Sequence, residues 1–365
     1  MISVHAGSAR PFAATVASFL DSESFSHHRW ATFHGRDLLV VRSPAASLAL
    51  HLLPTPQSPD EVLPAVTSAE LSDAYIARDR PQGRRRAVLV HLWEDQWHEH
   101  TPIVTSRLLS MLGRSTRLMA RSTVARRIDS ATVDAFLLEN HLWGATKSRY
   151  RYGLYSKAKD EQLVAVASFS PRWNVRRRGS DAPPRASHEL IRYCSYRGTT
   201  VVGGISKLLK AFTRDASPDE IVTVIDRDWG AGGGWATLGF RSLKKMPPVT
   251  FFIGPDGRRC HPGSGPNPHR RRLPPSLLAD LEIEIERSLQ HVESDEATAS
   301  ATDASTMGEG DVEKRDEAAT LWAQRQRAEK RRNEVAERFL AERGYYAVRD
   351  AGAERHLLMI TDKIT

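Results

Sequence analysis

One run of the chain constrains its fold more than any other. Glu189 to Cys194 reads as a strand, Gly203-Gly204-Ile205-Ser206-Lys207-Leu208-Leu209-Lys210-Ala211-Phe212 as a glycine-opened amphipathic helix, and Asp219 to Asp226 as a second, strongly apolar strand. Strand patterns over Tyr150 to Tyr155 and Leu163 to Phe169 precede this run. After it, Gly230 to Gly234 opens a short helix ending at Gly239, and Val249 to Ile253 is a last strand before the Asp256-Gly257 turn. The whole stretch predicts a mixed α/β sheet with flanking helices, beginning with a helix that Asp129 caps and that carries Val133, Phe136 and Leu137 on one side.

The preceding part predicts a small α/β unit. Leu38-Leu39-Val40-Val41, Leu48-Ala49-Leu50 and Ala87 to Leu92 are short apolar strands, Ser68 to Arg80 has helical character, and Pro102 to Leu112 is a helix stopped by Gly113. Towards the C-terminus, residues 257–292 combine a Pro/Gly/Arg-rich segment with an amphipathic helix over Leu277 to Val292. Residues 293–315 read as a disordered acidic linker, and 316–365 as a charged helix ended by Gly344 with a short closing segment. The expected domains are therefore 1–125 and 129–256, followed by this helical tail.

Composition narrows the partners. The chain carries 52 Lys+Arg against 44 Asp+Glu, a net charge of +8. The excess is clustered at Arg84 to Arg86, Arg176 to Arg178 and Arg270 to Arg272, which favours a polyanion such as DNA or RNA. Cys194 and Cys260, the two cysteines, form neither a disulfide framework nor a Cys-based metal site, and a reducing intracellular compartment is expected. No apolar run reaches membrane-spanning length, so no membrane partner is expected. The Ala/Ser-rich first twenty residues leave the cytoplasm and an organelle both open.

The element order resembles the GNAT acyltransferases. Val201-Val202-Gly203-Gly204-Ile205-Ser206 stands where that fold receives the pyrophosphate of an acyl-CoA on a helix N-terminus, although the family's usual Arg/Gln-x-x-Gly-x-Gly/Ala spacing is absent. Trp235-Ala236-Thr237-Leu238-Gly239-Phe240 resembles the family's Y-x-x-L-G-F ending. A narrower resemblance joins His91 to Trp97, Ile103 to Leu109, Glu139 to Gly144, Glu189 to Ser195, Val201 to Leu209, Ile225 to Gly230 and Arg343 to Gly352. In that order these segments are similar to phage and mobile-element proteins that combine a very-short-patch-repair-like, homing-type nuclease domain with a GNAT/Mom-like domain. Leu39 and His51 stand where the nuclease pattern places metal-holding carboxylates, with Asp37 nearby, so that half reads as degenerate and no metal is expected.

The resemblance implies His141 and Asp226 as proton-transfer residues and Val202, Gly203, Gly204 and Ser206 as a phosphate cradle for acetyl-CoA or another acyl donor, while their charge and stacking chemistry make Arg176, Arg177, Arg178, Arg192, Arg227 and Trp229 candidate nucleic-acid contacts. Plainer roles stand beside these. His141 and Asp226 can brace turns, the glycines can serve tight packing, Trp229 can be core, and the charged helix after Asp316 can be solvated or hold a protein partner. Three functions remain open: an acyl-type transferase modifying a nucleobase, a non-catalytic nucleic-acid or ribonucleoprotein component, and a residual endonuclease.

Overall fold

The computed structural model describes residues 11–360 except 26–27, 59–60, 62–66, 79–86, 159, 177–181, 231, 261–272 and 301–330. The expected clusters Arg84 to Arg86 and Arg270 to Arg272, Arg177 and Arg178, most of the acidic linker and the first half of the charged helix lie outside the described residues.

Long apolar strands need cover on both faces, and the N-terminal unit supplies it. Its elements are α1 (Pro11–Ser22), β1 (His28–Phe33), β2 (Arg36–Arg42), β3 (Ser47–Leu53), α2 (Ser68–Ala77), β4 (Val88–Trp93), α3 (Glu94–Glu99) and α4 (Thr101–Met111). The strands lie in the order β1-β2-β3-β4, antiparallel except for the parallel pair β3/β4. One face packs Val41, Leu50 and Val90 against Val16 and Leu20 of α1 and Val104 and Leu108 of α4; the other packs Leu38, Ala49 and Leu89 against Leu71 and Tyr75 of α2. A capping box starts α2: the Thr67 hydroxyl accepts from the Glu70 N–H at 3.2 Å, and the Glu70 carboxylate accepts from the Thr67 N–H at 2.8 Å.

The remainder contributes β5 (Thr116–Met119), β6 (Thr123–Arg127), α5 (Ser130–Asn140), β7 (Tyr150–Ser156), β8 (Leu163–Phe169), β9 (Trp173–Val175), β10 (Arg185–Ser195), β11 (Thr199–Val202), α6 (Gly204–Ala216) and β12 (Glu220–Asp226). These are followed by α7 (Gly233–Ala236), β13 (Arg241–Met246), β14 (Thr250–Ile253), β15 (Arg259–Cys260), α8 (Pro275–Ser300), a helix over 331–341, β16 (Tyr346–Arg349) and β17 (Ala353–Met359). The large sheet runs β6-β7-β8-β10-β12-β17-β13, with β9 hairpinned onto β10. Within it, β10 and β12 are the parallel pair joined through α6, and the other pairings are antiparallel. The fold is mixed α/β. Phe212 of α6 stacks on Phe169 of β8 with ring centroids 3.9 Å apart, at the centre of the core beneath the sheet.

Three sequence boundaries move. The break expected at 125 runs through β6, which pairs with β7, while β5 pairs with β11. The tail is not wholly helical: β17 fills an interior place between β12 and β13, and β16 joins β14 and β15 in a small sheet. The helical backbone of α8 continues to Ser300, into the expected linker. These pairings join segments far apart in sequence, so local periodicity carries no trace of them. Phe339 and Leu340 of the 331–341 helix pack with Leu281 and Ile285 of α8 and Phe252 of β14, so this face of the charged helix is core.

Candidate active site

The parallel ladder between β10 and β12 holds from Ser187/Glu220 to Leu190/Thr223 and then stops, although β10 continues to Ser195 and β12 to Asp226. At the same level the pairing of β10 with β8 shifts register between Leu190 and Arg192. A bulge of this kind bends a strand and sharpens its twist. Between the parted strands lies a cavity of about 1190 Å³, walled by residues 189–197 and 223–227, the turn after α5, one face of α4, the glycine turn 232–234 and the segment from Asp350 to Ala353. A crevice at the carboxyl ends of parallel strands is the favoured ligand position in an open α/β sheet.

Asp226 closes β12 at this crevice. Its Oδ2 accepts the Trp143 indole N–H at 2.9 Å, and its Oδ1 accepts the Asp228 backbone N–H at 2.9 Å, capping the short 3₁₀ turn Arg227–Trp229. The capping role and the cavity position thus coexist. His141 ends α5 and also faces the cavity. Its Nδ1 accepts the Trp143 backbone N–H at 3.1 Å. A backbone N–H can only donate, so the neutral ring carries its proton on Nε2. Burial, with Arg192 and Arg107 nearby, pushes the imidazole well below the usual histidine range. His141, expected from sequence as a proton-transfer residue, thus turns an Nε2–H towards the cavity side of its ring when neutral.

Two groups that the sequence reading passed over complete the cleft. Glu189 of β10 lines the cavity, and among the described residues its carboxylate has no hydrogen-bond or ion-pair partner. Burial raises its pKa, against the opposing fields of Arg355 and Arg192. Arg107 of α4 also lines the cavity, its guanidinium carbon 4.4 Å from the centre of the Trp229 ring. Ser106, Arg107 and Ser110 form a polar face on an otherwise apolar helix, which was the available sequence signal for Arg107.

Other expected residues are used internally. Arg227 is only 5% exposed, pairs with Asp73 and donates to the Ala351 carbonyl at 3.1 Å, so it braces α2 and the C-terminal segment rather than meeting a nucleic-acid backbone. Trp229 is core to the N-terminal unit. Arg192 donates to the carbonyls of Ile191 at 2.9 Å and Gly144 at 3.3 Å. Arg176 is exposed after β9, beside the exposed Trp173. Gly203 adopts φ +77° as the N-cap of α6, a left-handed conformation that suits glycine, and an added Cβ would lie 3.5 Å from Ala120. At Gly204 a Cβ would come within 2.9 Å of Val201. Gly203 serves the left-handed backbone and Gly204 the close packing, and of residues 202–206 only Ile205 reaches the cavity wall.

A second carboxylate group sits behind the cleft. Asp228 accepts the Trp93 indole N–H at 2.9 Å and the Ala351 N–H at 2.8 Å. Burial, then the neighbouring Asp226 and Asp350, pushes it well above the carboxylate range. Among the described residues no cluster has the make-up of a metal site, and no described helix is long and apolar enough to cross a membrane.

No protein-family model matches the sequence, and no curated protein matches it. Solved structures do resemble part of it. A bacterial toxin aligns at 14% identity over 33% of this chain and 82% of its own, with a TM-score of 0.26. The NatC complex bound to Gag peptide and CoA aligns at 11% identity over 34% of this chain and 88% of its own, with a TM-score of 0.24. The histone acetyltransferase HPA2 and related acetyltransferase from Corynebacterium glutamicum aligns at 15% identity over 34% of this chain and 88% of its own, with a TM-score of 0.25. Likenesses this slight leave the cleft to be judged on its own geometry.

Proposed function

We propose that the protein is an acyltransferase of GNAT-like build that moves an acyl group from a CoA thioester to an amine on, or bound with, nucleic acid. One observation carries this reading: the parallel strands β10 and β12 part at Leu190/Thr223 beside a bulge and open a cavity flanked by carboxylates. The helix that follows β10 supports it. The N-cap Gly203 has no side chain to cap α6, and the Tyr193 hydroxyl already meets the Ile205 N–H, so an anion such as a diphosphate would take the N–H groups of Gly204 and Ser206.

An acyl-CoA would supply a carbonyl activated by its thioester. The chain's own residues would then work as follows. Glu189, with its raised pKa and unpaired carboxylate, would take the proton from the attacking amine as the N–C bond forms and the C–S bond breaks, the CoA sulfur departing as a thiolate with the bonding pair. Asp226, held by the Trp143 and Asp228 N–H groups, orients that amine or receives the proton in its stead. The Nε2–H of His141 is free to donate to the carbonyl oxygen as negative charge gathers there. Acetyl transfer from radiolabelled acetyl-CoA to amine-bearing oligonucleotides tests this. Transfer that falls by about 100-fold in folded Asp226→Asn or Glu189→Gln supports the reading. No transfer by the wild type, with no rise in its melting temperature on adding acetyl-CoA, sinks it.

The binding-component reading draws on a different surface. Trp173 and Val175 are 46% and 42% exposed on the β9 hairpin, next to Arg172 and Arg176. An exposed aromatic among arginines suits stacking on bases with the cations on phosphates. Binding to an oligonucleotide that weakens steeply with salt and with Trp173→Ala, while Asp226→Asn leaves it intact, would favour that role. The N-terminal sheet does not support an endonuclease: Leu39 is fully buried, His51 hydrogen-bonds His91, and Asp37 accepts from the Thr32 hydroxyl.

A further inference from the structure

One wall of the cleft comes from outside the large sheet. Helix α4 of the N-terminal unit turns Ser106, Arg107 and Ser110 towards the cavity. Its position is fixed on both sides of Arg107: the Ser106 hydroxyl accepts the Gly198 N–H at 2.8 Å, and Ser110 is 2.9 Å from the Thr200 hydroxyl. Arg107 itself makes no hydrogen bond or ion pair among the described residues. Its contact is the Trp229 ring, and Trp229 keeps a buried indole N–H that also lacks an acceptor among them.

Arg107 is half-buried at the cavity wall with no counter-ion beside it, a position where packing alone would be served better by an apolar side chain of the same length. Burial lowers the Arg107 pKa, and the opposing pull comes from Asp226 and Cys194, neither of them bonded to it. The guanidinium lies over the Trp229 ring with its donors uncommitted, and a phosphate is the group whose oxygens match that fork.

We propose that Arg107 is the phosphate-binding residue of the cleft, so that the N-terminal unit supplies a ligand contact to a site otherwise built by the large sheet. The phosphate belongs either to the CoA donor or to a nucleotide acceptor. The proposal rests on the cleft being a ligand site, not on acyl transfer. A protein that binds phosphate through Arg107 yet transfers no acetyl group would end the transferase reading and leave this one standing.

Thermal shift and calorimetric titration of the full chain test it, with inorganic pyrophosphate, CoA, pantetheine and AMP as probes. The wild type is expected to be stabilised by phosphate-bearing probes and not by pantetheine. Arg107→Met is expected to bind them about tenfold more weakly or worse, while its melting temperature without ligand stays level or rises. A merely structural arginine would give the reverse pattern. Arg107→Lys, which keeps the charge and loses the fork, should fall between. Loss confined to CoA assigns the phosphate to the donor, and loss confined to AMP assigns it to the acceptor. Affinities in Arg107→Met within about twofold of wild type overturn the proposal, as does a wild type that responds to no phosphate-bearing probe.

Discussion

His91 and Arg107 come from adjacent parts of the N-terminal unit, β4 and α4, and end in opposite situations. His91 is wholly buried, and both its ring nitrogens are engaged: Nε2 lies 2.8 Å from the Ser72 hydroxyl and Nδ1 lies 2.8 Å from Nδ1 of His51. The group ties α2 to β3 and β4 and closes on itself. Around Arg107 the polar groups face a cavity with bonds to spare: a guanidinium without a hydrogen bond, the unpaired Glu189 carboxylate and the free Nε2–H of His141. A closed network braces a fold, while an open one bordering a cavity has groups left for a ligand. Polar residues alone do not separate the two cases; the state of their partners does.

The largest effect should come from the open cluster and touch chemistry alone. Glu189→Gln and Asp226→Asn are expected to lower acetyl transfer by about 100-fold with little change in melting temperature. Activity that survives in both would remove the cleft from the functional side of the comparison. The closed cluster should behave the other way. His91→Ala leaves Ser72 and His51 unpaired in the core and is expected to cost about 3 kcal/mol in urea unfolding, with the affinity for CoA or phosphate unchanged in the protein that remains folded.

What sequence could and could not reveal follows the same division. The apolar runs of β2, β3, β4, β8 and β12 announced themselves, because strands covered on both faces are written as continuous Val, Leu and Ile. Asp129 was legible as a cap, and its carboxylate does accept the Thr132 N–H at 2.8 Å. The insertion of β17 between β12 and β13 was not legible, since its polar run Glu354-Arg355-His356 followed by Leu357-Leu358-Met359 shows no alternation that marks a strand, let alone its neighbours. Asp226 stood out because it ends a strong strand before a glycine turn. Glu189 and Arg107 did not, because a single charge in a strand or helix reads as solvated until the neighbouring unit is seen to enclose it.

The smallest of these effects is a pH response that separates the clusters without mutating the cleft. Burial, followed by the field of Arg36, pushes His51 down to about 4, from 6.5 when exposed. Its folded value lies below its unfolded value, so the unfolded chain binds the proton first. Stability is then complete above about pH 6.5 and is lost as the pH falls towards 4. At pH 5 the loss from His51 is about 2 kcal/mol, and His91, also pushed well below the histidine range by burial, adds to it. Glu189 runs in the opposite sense: its folded value is raised, so its contribution is present in acid and lost as the pH rises through that value. Urea midpoints measured from pH 7.5 to pH 5 should therefore fall in the wild type and fall less in His51→Asn, whose side chain does not titrate. Glu189→Gln should fall at least as steeply as wild type, because the group offsetting the histidines is gone. An equal slope in His51→Asn and wild type would mean that the histidine pair is not the acid-sensitive brace, and the distinction between closed and open clusters would lose its clearest stability signature.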